Sequence, residues 1–171
     1  MSQERFFEPE QFIVSKTDLR GVITYANQSF LDVAMYTQSE LIGRPHSIIR
    51  HPDMPRCVFQ LLWDTIKNGD EIFAYVKNLC KNGDYYWVLA YVTPEFHPKT
   101  KAIVGYDSFR RVPSRGAIKV IEEVYDLLLK EERQYSNRKT AIEASTVLLM
   151  TLLEEKGLTY ERFILNLIAG L

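Results

Sequence analysis

The sequence predicts an α+β protein: a five-stranded antiparallel sheet with short helices on one face, followed by an α-helical C-terminal tail. Three observations carry that prediction. Two short strand patterns joined by turn residues open the chain. Three longer strand patterns follow a single amphipathic helix in the middle. Everything after Pro113 reads as helix. Strands that pair with their sequence neighbours, with helices set between and after them, give an antiparallel α+β layer.

The elements follow in order. Phe12–Lys16 and Val22–Asn27 are strand runs, and the Thr17–Gly21 turn between them makes a hairpin. Asn27 is placed to cap a helix over Gln28–Met35. Thr37 or Ser39 caps a short turn through Glu40-Leu41-Ile42, which Gly43 ends. Pro55 suits the first turn of a helix reaching Lys67, with Phe59, Leu62, Trp63 and Ile66 at helical spacing and Asn68-Gly69 as its stop. Ile72–Cys80, Asp84–Glu95 and Ala102–Val112 are the three later strands, the first two joined by an Asn82-Gly83 turn. Ala117–Glu131 presents Ile118, Ile121, Val124, Tyr125 and Leu128 on one face. A helix over Ala141–Lys156 presents Ile142, Ala144, Val147, Leu148 and Leu152, with a stripe at 144, 148 and 152. Thr159 caps a last helix.

Composition narrows the function. The 171 residues are 46% hydrophobic and 25% charged, a soluble globular balance. Twenty-one Lys and Arg face 22 Asp and Glu, so no charge excess points to nucleic acid. The N-terminus carries acids and prolines where a signal peptide needs a basic start and an apolar run, and no segment is long enough to span a bilayer. A cytoplasmic protein is expected. Cys57 and Cys80 stand alone, without CxxC or Cys/His spacing, and are expected as free, buried thiols. No Ser/His/Asp order, phosphate loop or metal spacing appears, so an enzyme is not expected.

The most informative stretch is Ile48–Ile66, IIRHPDMPRCVFQLLWDTI. Arg50, His51 and Asp53 sit within four positions on a segment stiffened by Pro52 and Pro55, at the mouth of an apolar helix. Such a set suits a cofactor with a polar head: arginine binds phosphate in a forked geometry, and histidine can donate to phosphate or to a ring oxygen. The plain structural alternative is an Arg50–Asp53 ion pair that caps the next helix. Asn78 is unusual inside a strand; it either faces inward and needs polar partners or faces outward at a bulge. Tyr86 and Trp87 are strand neighbours, so only one can point inward.

Taken together, RPHSIIRHPDMPRCVFQLLWDTIKNG and VKNLCKNGDYYWVLAYVTP resemble the PAS sensor domain of bacterial aerotaxis and energy-taxis receptors, over roughly Phe12–Val112. The resemblance implies a PAS fold that holds FAD non-covalently and reports its redox state to the chemotaxis machinery. Carried over by position, it implies Asn27, Arg50, His51, Asp53, Phe59, Trp63, Asn78 and Tyr86 as flavin-associated residues. Family members often have a Pro-Trp pair where this chain has Glu71-Ile72, so the tryptophan beside the flavin is missing here. The implied organisation is an N-terminal segment (1–11), a PAS sensor domain (12–112) and a helical output or interaction tail (113–171). The implied partners are a separate membrane-bound methyl-accepting chemotaxis transducer, engaged through its HAMP or signalling region, and a second copy in a homodimer. Two other readings stand beside it: a cofactor-free PAS interaction module, and a haem-binding gas sensor using His46 or His51, with His97 on a loop. A flavin–cysteinyl photosensor would need a cysteine in a GxNCRF motif, and Gly43–Arg50 has none.

Overall fold

A computed structural model describes all 171 residues. The chain divides into two compact units, Met1–His51 with Thr65–Val112, and Pro52–Asp64 with Pro113–Leu171.

The first unit is built on a five-stranded antiparallel sheet of order β2-β1-β5-β4-β3. The strands are β1 (Ile13–Thr17), β2 (Ile23–Ala26), β3 (Ile72–Leu79), β4 (Tyr85–Phe96) and β5 (Ile103–Arg111). At the first turn, the Asp18 carboxylate accepts from the Arg20 and Val22 amides, and Gly21 supplies the positive φ of 81°. At the second, Gly83 takes a φ of 93° and the Asn82 side chain accepts from the Asp84 amide. Helices α1 (Gln28–Ala34) and α2 (Gln38–Leu41) follow the first hairpin, as expected. A 3-10 turn over His46–Ile49, which the sequence pattern did not reveal, leads into Arg50. Ile13, Ile23, Phe30, Leu41, Ile49 and Ile66 are all but inaccessible and form the core. The N-terminal segment is tied down: Gln3 and Arg5 bond the backbone of Tyr85, and Arg5 Nε donates to the Val33 carbonyl.

The second unit is helical. It contains the first nine residues of α3 (Arg56–Lys67) together with α4 (Arg115–Glu132), α5 (Arg138–Glu155) and α6 (Tyr160–Ala169). Ser114, Asn137 and Thr159 cap the three tail helices through their side chains. Helix α4 buries Ile118, Ile121, Tyr125 and Leu128, the expected face. Helix α5 does not bury the expected 144/148/152 stripe; Ala141, Ser145, Leu149 and Leu153 are the core positions, one residue around the helix. The reason is that α5 is apolar on nearly every side, with Val147 66% exposed, so hydrophobicity alone does not select its inward face. A polar contact selects it instead. The buried Glu132 carboxylate accepts from Ser145 Oγ at 2.7 Å and from the Arg56 and Cys57 amides at 2.9 and 3.2 Å. Those amides belong to the first turn of α3, so Glu132 from the tail caps this helix.

Candidate functional site: the inner face of the sheet

Strand register decides which residues share the inner face. Asn78 lies directly opposite Tyr86, Val76 opposite Val88, Ala74 opposite Ala90 and Ile72 opposite Val92, with no bulge between β3 and β4. Ala90 pairs in turn with Arg110, and Arg110 with Ile13; Ser108 pairs with Val92 and with Ser15. Directly opposed residues point the same way. The inner face is therefore short and apolar in the middle, at Ala74, Ala90, Val76 and Val88. It is polar at Asn78 and Tyr86 on β3 and β4, and at Ser15 and Arg110 on β1 and β5, with Arg110 level with Ala90.

The predicted residues distribute as follows. Asn78 faces inward at 3% exposure, and Tyr86 is fully buried beside it. Burial pushes the Tyr86 phenol well above its ordinary range. Trp87 takes the opposite face and is buried as well. Arg50 is half-buried at the end of the 3-10 turn, where its backbone bridges to Asn78, so the motif loop abuts the polar end of β3. His51 lies edge-on to Tyr85, with centroids 5.9 Å apart. Asn27 serves the scaffold: its Oδ1 accepts from the Val14 and Phe30 amides and its Nδ2 donates to the Phe12 carbonyl, joining β1 to the start of α1. Asp53 is exposed, and Phe59 and Trp63 are half-buried on α3; all three belong to the second unit. Ile72, which stands where the family's tryptophan would be, is inward and buried.

Sequence reasoning missed the cluster at Ser15 and Arg110. Arg110 is 2% exposed and its Nη2 donates to Ser15 Oγ at 2.7 Å. Its Nη1 donates to His46 Nε2 at 3.3 Å, and Ser15 Oγ lies 3.0 Å from the same nitrogen. The guanidinium rests 4.4 Å from the Phe30 ring centroid, and Phe30 stacks on His46. Arginine cannot accept, so Nε2 accepts from it, and His46 is the neutral tautomer protonated on Nδ1. Desolvation, with the Arg110 charge adding to it, pulls the His46 pKa down to about 3. The available signal was the period-two run Tyr106, Ser108, Arg110: of two adjacent arginines on a strand, one must point inward.

The His46 shift has a consequence for acid stability. The unfolded chain binds a proton near the ordinary value of 6.5, whereas the folded chain refuses it until about 3. Stability contributed by neutral His46 is complete above pH 6.5 and declines as pH falls toward 3. His46→Gln is expected to flatten the pH dependence of the urea midpoint across that window. An unchanged slope in the variant would show that His46 is not the group responsible.

One buried donor on this face, Arg110 Nε, carries no hydrogen bond. Native folds rarely leave such atoms orphaned without a ligand or water to complete them. A cofactor with an acceptor-rich edge fits this donor.

The chain folds as a β-hairpin, a helical crossing and a three-stranded meander, and residues 23–110 match the family described as the PAS fold. The chain belongs to the PAS family. It is 42% identical over 116 residues to the aerotaxis receptor of Escherichia coli K12, covering 68% of this chain and 22% of that protein. It is 27% identical over 92 residues to the nitrogen fixation regulatory protein of Klebsiella pneumoniae, covering 54% of this chain and 19% of that protein. The chain thus spans about a fifth of the length of these curated relatives. Among solved structures, the light state of the blue-light photoreceptor aureochrome1 LOV superposes with a TM-score of 0.58 at 22% identity, covering 63% of this chain and 86% of that one. A light-oxygen-voltage domain studied with a flavin analogue superposes at 0.59 and 20% identity, covering 73% and 90%. These likenesses establish the fold.

Proposed function

We propose that this chain is a PAS sensor that holds FAD on the inner face of its sheet and reports redox state for aerotaxis or energy taxis. The observation that carries the reading is the inward Asn78–Tyr86 pair, set beside the Arg50-His51 loop, in a chain 42% identical to an aerotaxis receptor. Bound flavin would supply the redox chemistry, and the protein would hold and read it. Asn78 is the suitable reader, because its amide can present either an acceptor or a donor to the same atom by turning over. Arg50 and His51, half-buried, suit the diphosphate. The tail, residues 113–171, is the proposed output surface, and a methyl-accepting transducer and a second copy are its proposed partners. No catalytic role is proposed. No helix is long and apolar enough to cross a membrane.

The haem reading has less support. His46 Nε2 is engaged by Ser15 and Arg110, His97 Nδ1 accepts from the Lys99 and Thr100 amides, and His51 packs against Tyr85. Asn78→Ala is expected to lower the flavin-to-protein ratio of the purified protein several-fold, with a melting temperature within a few degrees of wild type. Wild-type occupancy in the variant would remove Asn78 from the site.

A further inference from the structure

We infer that Arg110 is the charge partner of the cofactor's ring: a buried cation that the fold leaves without an anion, to be completed by a planar ligand with an acceptor-rich edge. The inference rests on the flavin reading above and adds to the site a residue that none of the motifs contains.

Arg110 is 2% exposed, and its only hydrogen-bond partners are the neutral Ser15 and the neutral His46. No carboxylate forms an ion pair with it. Burial lowers its pKa to about 10, which leaves it cationic at neutral pH. A cation buried without a counter-ion is costly, and proteins ordinarily pair it or exclude it. Ser15 and His46 fix its orientation, and Phe30 covers one face. One N–H, at Nε, is left over.

The ligand's chemistry follows from that leftover. Arg110 Nε is buried, has no partner and can only donate. A ligand that completes the arginine must therefore present acceptors to it. Flavin offers two negative features, its diphosphate and its carbonyl-bearing ring. The diphosphate is strongly hydrated and suits half-buried Arg50. The ring is the part that can be carried into the core, and so the part that meets Arg110. Its charge becomes more negative when it takes up two electrons and one proton, so a fixed cation nearby raises the reduction potential.

The test uses full-length protein with Arg110→Met and Arg110→Lys, and Arg110→Gln if the methionine variant does not fold. Three quantities are measured: the dissociation constant for added FAD, the midpoint potential of bound flavin against a reference dye, and the melting temperature of flavin-stripped protein. Arg110→Met is expected to weaken FAD binding at least tenfold and to make the potential of the remaining bound flavin more negative. It is also expected to raise the melting temperature of the stripped protein, because an uncompensated buried charge is gone. Arg110→Lys should retain more of the wild-type potential than Arg110→Met. Two results overturn the inference: a methionine or glutamine variant with wild-type affinity and potential, or one whose lost affinity is matched by a lower melting temperature of the stripped protein. Wild-type protein that binds no flavin is a different failure. It sinks the function reading itself and this inference with it.

Discussion

Ending the chain after Val112 is expected to destabilise the start of α3, although the cut lies 45 residues beyond Lys67. The reason is Glu132. Its buried carboxylate satisfies the Arg56 and Cys57 amides, and the cut leaves those amides without it. Losing a cap of this kind costs about 1–2 kcal/mol. Met54, Cys57 and Val58, each at 2% exposure or less, belong to the same compact unit as the tail and stand to be uncovered. Each large apolar side chain returned to water adds about 2 kcal/mol. With Met54 and Val58 as the two large side chains, a loss of about 5 kcal/mol is expected. In a urea titration the truncated chain should unfold well before the full chain, with amide exchange accelerated first at Arg56 and Cys57. Glu132→Gln in the full chain keeps an acceptor oxygen and should cost only part of the loss. Equal urea midpoints for truncated and full-length protein would refute the capping account.

The second large effect is expected at Gly105. A Cβ built there would lie 2.5 Å from the Thr17 backbone oxygen, on the strand paired beside it. Backbone cannot yield as a flexible side chain would. Gly105 therefore fits because it has no side chain; its φ is not in the left-handed range. Gly105→Ala must push β1 and β5 apart where Thr17 Oγ1 already lacks a partner. Forced overpacking of this kind costs about 3 kcal/mol, a fall in melting temperature of roughly 6–12 °C for a chain of this size. A variant melting within about 2 °C of wild type would mean that the strands can separate there at little cost.

The extent to which the sequence disclosed this molecule varies with the physics of each feature. Strands and turns were legible because their signals are local: Asn82-Gly83 and Asp18–Gly21 fix hairpins through their own backbone and side chains. The inward direction of Asn78 was open, and cross-strand register settled it, a property no single strand contains. The burial stripe of α5 was misread because an all-round apolar helix takes its orientation from a distant partner, here Glu132 through Ser145. Arg110 was missed for a related reason. An arginine is ordinarily a surface residue, and only the pairing of β5 with β1 and β4 places this one in the core. Arg50, His51 and Asp53 stood out in the sequence as charges on a proline-stiffened segment, and the resemblance associated them with flavin; in the first unit, Arg50 meets the Asn78 backbone and His51 the Tyr85 ring.

The central claim is that the polar groups of the inner face hold a flavin, and the visible spectrum of the freshly purified full-length protein tests it most directly. The account predicts the two-banded absorption of oxidised flavin, bleached by reductant and restored by air, with FAD released on denaturation. A sharp haem band, or a colourless protein that stays colourless after incubation with FAD, would contradict it.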